Sequence, residues 1–305
     1  MILNSGLRTD IPSFYSEWFF NRIKSGFVLV RNPYAENSVL RYEINPRVVD
    51  VLCFCTKNPQ KIIPRMEEIS AYRQFWFVTI TPYENDVEEN VPHFLEVAES
   101  FKKISRIVGR KKIHWRYDPI FVSEKYSVDF HVKFFERMAE ELSPFTEACV
   151  FSFIDLYPKV LRNFPGVREV SAEEKKILAE NFVRIAEKNS IRLKSCCENF
   201  SFSGIDSSGC MTKTVLENSA EKKLVLPKST FRKNCRCFLG ADMGEYNSCG
   251  NFCRYCYANA DKNLVKKNMA RHDPFSPVLI GQISECDRIR AVEQKSFADE
   301  NLWLF

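Results

Sequence analysis

The sequence predicts an α/β protein built on a TIM-like (β/α) barrel, complete or partial, that ends in a cysteine-rich segment. Three observations carry this. Short apolar, β-branched or aromatic runs alternate with longer stretches of helical periodicity. Polar residues recur just beyond the apolar runs, where a parallel barrel gathers its active site. Nine of the twelve cysteines (Cys196, Cys197, Cys210, Cys235, Cys237, Cys249, Cys253, Cys256 and Cys286) fall in the last third of the chain.

In chain order, strands are expected at residues 2–4, 28–31, 49–55, 75–81, 112–116, 149–154 and 191–195. Between them, residues 11–24 read as a helix with Pro12 in its first turn and Gly26 beyond its end. Residues 59–71, 90–108, 128–142 and 172–188 repeat apolar side chains at helical spacing, and the last stretch opens on Ser171-Ala-Glu-Glu174, a capping-box pattern. Six or seven such units imply a parallel sheet with helices outside it. After Glu198 the pattern changes. The segment 199–247, with Ser201-Phe-Ser-Gly204, Asp206-Ser-Ser-Gly209 and Arg232-Lys-Asn-Cys235, reads as an insertion arranged by metal. Residues 259–271 form a basic helical stretch, Pro274 and Pro277 break the chain, and 282–305 is a poorly specified tail. The expected division is therefore a barrel over 1–198, a cysteine-rich segment over 199–281 packed on its mouth, and the tail.

The bulk numbers exclude more than they assert. With 305 residues, 45% hydrophobic and 27% charged, the chain has the make-up of a soluble globular protein with one principal domain. No apolar run approaches the ~20 residues a bilayer demands, and residues 1–6 lack a basic region followed by a long apolar one, so a cytoplasmic location is expected. Clustered thiols without a regular disulfide framework fit that reducing compartment. The net charge of +5 is too mild to demand or to exclude a nucleic-acid partner.

The polar residues beyond the strands are Arg8 and Asp10, Thr56 and Lys57, Thr79 and Thr81, Arg116 and Asp118, Asp155 and Tyr157, and Glu198. Asp10, Arg116 and Asp118 are the candidate catalytic groups. Each has a plainer reading. Asp10 could cap the helix starting at Ile11, Arg116 and Asp118 could be a structural ion pair, and Lys57-Asn58-Pro59 could be a helix start. Their shared position after strands is the stronger argument.

The most specific stretch is Cys249-Gly-Asn-Phe-Cys253-Arg-Tyr-Cys256-Tyr257. Three thiolates at C-x3-C-x2-C spacing on one loop can hold three irons of a cubane 4Fe-4S cluster, leaving the fourth iron open to a small ligand. A structural zinc site or a chance cluster is the alternative, although zinc sites favour four ligands in paired arrangements. With Tyr255 before the last cysteine, the loop resembles that of radical S-adenosylmethionine (SAM) enzymes, and Cys253-Arg-Tyr-Cys256-Tyr257 is similar to the spore photoproduct lyases. More of the chain, including Arg8-Thr-Asp-Ile-Pro12, Val30-Arg-Asn-Pro33, Thr56-Lys-Asn-Pro59, Trp115-Arg-Tyr-Asp-Pro119 and Ala270-Arg-His-Asp-Pro274, resembles an uncharacterised domain-of-unknown-function family that ends in this motif.

The resemblance implies SAM bound through its amino and carboxylate groups to the open iron, with release of methionine and a 5'-deoxyadenosyl radical that abstracts hydrogen from a substrate. An electron donor such as flavodoxin or ferredoxin is then needed. By motif position Tyr255 would lie near the adenine, and Arg8 is the second candidate cofactor-binding residue. Two features depart from that pattern. The loop lies near the C-terminus, whereas ordinary members carry it after the first barrel strand, and no Gly-Gly-Glu motif is present. A circularly permuted barrel, or a tail folded over the mouth, would account for the first.

In the resembling family, cysteines fall at places matching Cys196, Cys210, Cys235 and Cys237, a second ligand set for a 4Fe-4S cluster or a zinc ion, both of which accept four thiolates. Cys197 could substitute for Cys196. Cys53, Cys55 and Cys149 sit in apolar strand patterns and read as core, and Cys286 is isolated. Two other readings stand beside the SAM enzyme. A nucleic-acid repair or modification enzyme would set Lys262, Lys266, Lys267 and Arg271 against phosphates, though a solvated helix face is the plainer account. A non-enzymatic iron-sulfur or zinc protein would use its cysteines only to fold the tail.

Overall fold

In the computed structural model the described residues are 1–35, 37–198, 202–227 and 235–299. The chain opens with β1 (Ile2–Ser5), α1 (Ile11–Phe14) and α2 (Ser16–Ser25), then the hairpin β2 (Phe27–Arg31) and β3 (Ser38–Glu43). The main progression follows: β4 (Val51–Thr56), β5 (Gln74–Thr79), α3 (Phe94–Val108), β6 (Ile113–Ile120), α4 (Val128–Leu142), β7 (Ala148–Phe153), α5 (Pro158–Asn163), α6 (Ala172–Lys188) and β8 (Arg192–Ser195). The cysteine-rich part adds α7 (Lys213–Ala220), β9 (Ala241–Asp242), α8 (Lys262–Met269) and β10 (Arg288–Ala291).

Seven strands form one sheet in the order β8-β7-β6-β5-β4-β1-β9, and every pairing in it is parallel. From β1 through β8 each new strand adds on the same side, without the reversal of a doubly wound sheet. Right-handed crossovers taken in one direction put the connecting helices on one face. The side chains agree with this. Leu52, Phe54, Trp76, Val78, Trp115, Tyr117 and Phe151 pack with apolar residues of α2, α3, α4 and α6 in the larger core. Their neighbours Ile2, Val51, Cys53, Phe75, Phe77 and Val150 point the other way, onto Val215, Leu216 and Ala220 of α7. A sheet buried on both faces explains why its strands read as continuous apolar runs rather than alternating ones. Among the described residues the edge strands β8 and β9 are not paired with each other.

Several expected elements take a different form. The strand at 28–31 does not join the parallel sheet. Its short connection to β3 makes an antiparallel hairpin, whereas a parallel partner would need a long crossover. The tail is not unspecified, since β10 pairs in parallel with β3, while residues 300–305 lie outside the described ones. The stretch 59–71 is only a 3-10 turn at Ile63–Ile69, with Pro64 in its first positions. Residues 11–24 divide at Tyr15 into two helices. Within the supposed insertion, α7 fills the inner face of the sheet and β9 extends its edge; Ser201 and Arg232-Lys-Asn234 lie outside the described residues.

By contrast α4 and α6 span the predicted residues, and both halves of the capping box at Ser171 and Glu174 are formed. Ser171→Ala is expected to cost about 1 kcal/mol, read from the denaturation midpoint. An unchanged midpoint would mean that tertiary packing alone starts α6.

Candidate metal and cofactor site

The parallel strands end at a cavity of about 250 Å³. Residues in the C-terminal parts of β1 and β4 to β8, or just beyond them, line it: Arg8 and Asp10, Thr56 and Lys57, Thr79, Arg116 and Asp118, Asp155 and Tyr157, and Glu198. Thr81 is the exception; it stands behind the wall and donates to Glu88 Oε1 at 2.8 Å. Into the same cavity come Cys249, Cys253, Tyr255 and Cys256 of the C-terminal loop, and Cys196, Cys197, Cys210, Cys235 and Cys237. The two cysteine sets, far apart in sequence, therefore share one chamber.

The loop 249–256 follows β9 directly, and packing holds it from several sides. Tyr15 donates its hydroxyl to Ser248 O at 2.5 Å, and Asn90 donates its side-chain amide to Gly250 O at 2.8 Å. Asn259 donates to Cys249 O at 2.8 Å. Gly250 has no room for a side chain, because a Cβ there would come within 2.8 Å of the Phe14 ring. Phe252 takes a left-handed φ of 51°, a conformation seldom adopted by large side chains, which is consistent with a loop shaped for something it holds. Burial raises the thiol pKa of all three cysteines, Cys249 to about 12, and a bound metal ion would favour their thiolate forms.

Asp10 caps α1 by accepting from Ser13 N at 3.1 Å, as the plainer reading held. It does more than cap, since it also accepts from Lys57 N at 2.8 Å and from Asn251 Nδ2 of the cysteine loop at 3.0 Å. Burial, partly offset by these donors, raises its pKa. Arg8 is fixed by Asp242 of β9, with Nε to Oδ2 at 2.6 Å, beneath the ring of Tyr246. Arg116 and Asp118 do form an ion pair, at 2.6 Å, and Ser152 donates to the second carboxylate oxygen. Burial would raise the Asp118 pKa, but the guanidinium and the Ser152 hydroxyl outweigh it and hold the group below the usual carboxylate range. Glu198 accepts from Phe153 N at 2.7 Å, and burial raises its pKa.

Sequence reasoning missed Glu88. It lies in an acidic stretch with Glu84, Asp86 and Glu89, where nothing marks one carboxylate as internal. In the fold its side chain is only 1% exposed and accepts from Lys57 Nζ at 2.9 Å, from Thr81 and from the Tyr255 hydroxyl. Burial pulls the Lys57 ammonium pKa down, but Glu88 beside it leaves the net shift upward. The backbone of Glu88 also bridges to Cys253. Tyr255 thus both lines the cavity and ties the cysteine loop to the segment after β5; its ring packs edge-on against Tyr83 at 5.9 Å.

Cys53 and Cys149 are core residues as expected, whereas Cys55, expected in the core, lines the cavity. An alternating strand buried on both faces sends its last inward residue to the open end. Cys286 is exposed. The basic stretch forms α8, of which only Val265 is buried, and Lys262 pairs with Glu89. No helix among the described residues is long and apolar enough to cross a membrane.

Two buried polar atoms on the cavity lining, Thr9 Oγ1 and Asn251 Oδ1, have no protein partner. Together with the buried thiols they make a donor set that fits a bound metal or cofactor better than a closed core. Of the sulfurs, Cys196, Cys210 and Cys237 lie within 4.8 Å of one another, a group able to hold a metal ion. The loop thiols Cys249, Cys253 and Cys256 do not form such a compact group.

No curated protein and no solved structure is similar to this chain. The model of a family described as "Domain of unknown function (DUF1848)" matches residues 2–258, most of the chain, and the protein therefore belongs to that family.

Proposed function

We propose that the protein is a radical SAM-type enzyme whose open-iron 4Fe-4S cluster is held by Cys249, Cys253 and Cys256. The observation that carries the reading is the position of the loop. It directly follows β9, a strand at one edge of the sheet that is parallel to β1, and its three thiols line the cavity at the strand ends. Counted across the sheet from that edge, β9 comes first and β1 second. The loop then stands after the first strand in space although it is late in sequence, as a circularly permuted partial barrel requires. The loop sulfurs are also spread more widely than a single tetrahedral ion would draw them. The corners of a cubane hold thiolates about 6 Å apart.

Bound there with SAM, such a cluster supplies one-electron cleavage of the sulfonium and thereby hydrogen-atom abstraction from a substrate. The chain's own residues position and enclose. Asp10 and Asn251 tie the loop to the end of β1, and Glu88 fixes Tyr255 from behind. Arg8 is held against Asp242 at the rim. Arg116 and Asp118 offer a paired cation and anion in the chamber for a polar cofactor or substrate, and a buried site of this kind excludes water. Flavodoxin or ferredoxin would supply the electron.

The test is anaerobic reconstitution, followed by iron content, the EPR spectrum of the reduced protein with and without SAM, and release of 5'-deoxyadenosine. A SAM-dependent spectral change with deoxyadenosine formation, both abolished in Cys253→Ala, is expected. A cluster indifferent to SAM would sink the reading and leave a metal-binding protein with no radical chemistry.

A further inference from the structure

Five of the nine cysteines outside the loop gather at the cavity wall from three stretches of chain. Cys196 and Cys197 follow β8, Cys210 precedes α7, and Cys235 and Cys237 precede β9. Their sulfurs converge. Cys210 lies 3.3 Å from Cys237 and 3.5 Å from Cys196, and Cys197 lies 3.8 Å from Cys196. Cys196, Cys210 and Cys237 all lie within 4.8 Å of one another, and Cys197 and Cys235 flank this trio without lying that close to all three.

These spacings choose between the two metals that four thiolates accept. Four sulfurs around one zinc ion at about 2.3 Å stand at the corners of a tetrahedron whose edge is about 3.8 Å. The corners of a 4Fe-4S cubane hold their thiolates about 6 Å apart. The separations within the Cys196, Cys210 and Cys237 trio, all below 4.8 Å, are closer to those around a single ion than to those of a cubane.

Three local features point the same way. The backbone N–H groups of Cys210 and Met211 both donate to Cys237 Sγ, at 3.1 and 3.4 Å, which orients that sulfur and stabilises negative charge on it. Gly209, at φ 105°, lets the chain wrap closely, because a Cβ there would sit 3.2 Å from Cys237 Sγ and 3.3 Å from the Arg236 backbone. The half-buried Arg116 guanidinium lines the same cavity wall as Cys196 and Cys210, so a cation stands near a site that four thiolates and a divalent ion would leave with two negative charges.

We infer that Cys196, Cys210 and Cys237, with a fourth thiolate from the Cys197 and Cys235 pair, form a closed tetrahedral zinc site that is separate from the loop cluster and contains no inorganic sulfide. It pins the end of β8, the start of α7 and the approach to β9 together at the cavity wall. The site has no open coordination position, and its role is structural. It stands whether or not the loop binds SAM.

The experiment removes the loop ligands first. A full-length variant carrying Cys249→Ser, Cys253→Ser and Cys256→Ser is purified under reducing conditions, and zinc, iron and acid-labile sulfide are measured per chain. The expected result is one zinc per chain with no sulfide. Adding Cys210→Ser should abolish zinc binding. Cys197→Ala or Cys235→Ala singly should leave it in place, and the two together should remove it. Should Cys210→Ser not fold, Co(II) substitution of the loop variant gives a second reading: intense visible ligand-field bands with thiolate-to-cobalt charge transfer mark four sulfur ligands. Iron with sulfide in the loop variant, at about four of each per chain, would overturn the assignment. So would the absence of zinc, or a cobalt spectrum lacking the tetrathiolate bands.

Discussion

Glu88→Ala is expected to destabilise the protein by about 3–5 kcal/mol and to release the cysteine loop, because removing one partner of a buried ion pair leaves the other charge uncompensated. The stranded group is Lys57, whose side chain is 13% exposed and whose ammonium lies 2.9 Å from Glu88. Thr81 and Tyr255 lose their acceptor in the same step. The measurement is a denaturation curve paired with the iron content of reconstituted protein. Glu88→Gln, which keeps the shape and one acceptor oxygen but loses the charge, should fall between wild type and Glu88→Ala in both. If Glu88→Ala unfolds at the wild-type midpoint and still takes up iron, the tie between the segment after β5 and the loop is incidental.

Arg116→Met should cost about 3 kcal/mol at neutral pH, the lower end for a broken buried pair, because both partners retain some exposure to the cavity. Its pH dependence is diagnostic. In the wild type Asp118 titrates below its ordinary value of 3.8, so the pair's contribution is fully present above that value and lost as pH falls through the depressed one. Without the guanidinium, burial is the dominant influence and raises the pKa instead. The carboxylate then costs stability when ionised, and the difference between variant and wild type should narrow as the medium is acidified toward the ordinary value. Arg116→Lys restores the charge without the planar fork and should recover only part of the loss. A gap that stays constant with pH would remove Asp118 from the explanation.

Both predictions concern residues of the cavity wall, and they differ in how visible those residues are in the linear chain. Arg116 and Asp118 follow an apolar run, and a parallel strand carries such residues to its C-terminal end wherever the rest of the sheet lies. Glu88 follows no strand directly. Its burial arises because the connection after β5 folds back over a loop more than 160 residues later, and nothing local encodes that meeting.

Elements governed by near neighbours are legible in the residues themselves. The helices α4 and α6 lie at the predicted residues because their apolar faces repeat over four or more turns and their caps are local hydrogen bonds. The strands of the main progression read clearly because burial on both faces makes them continuous apolar runs. The spacing of Cys249, Cys253 and Cys256 announces a ligand loop in the same local way. Tertiary structure alone decided the rest. Strand β9 has two residues and no period, and it exists because β1 offers an unpaired edge. Strand β2 left the main sheet for a hairpin, and β10 formed where a tail was expected, since both depend on β3. The convergence of Cys196, Cys210 and Cys237 from three stretches, at separations suited to one ion, depends on where β8, α7 and β9 bring their ends. Pairing across the sheet is a property of distance in space, and a sequence read along its length carries no measure of it.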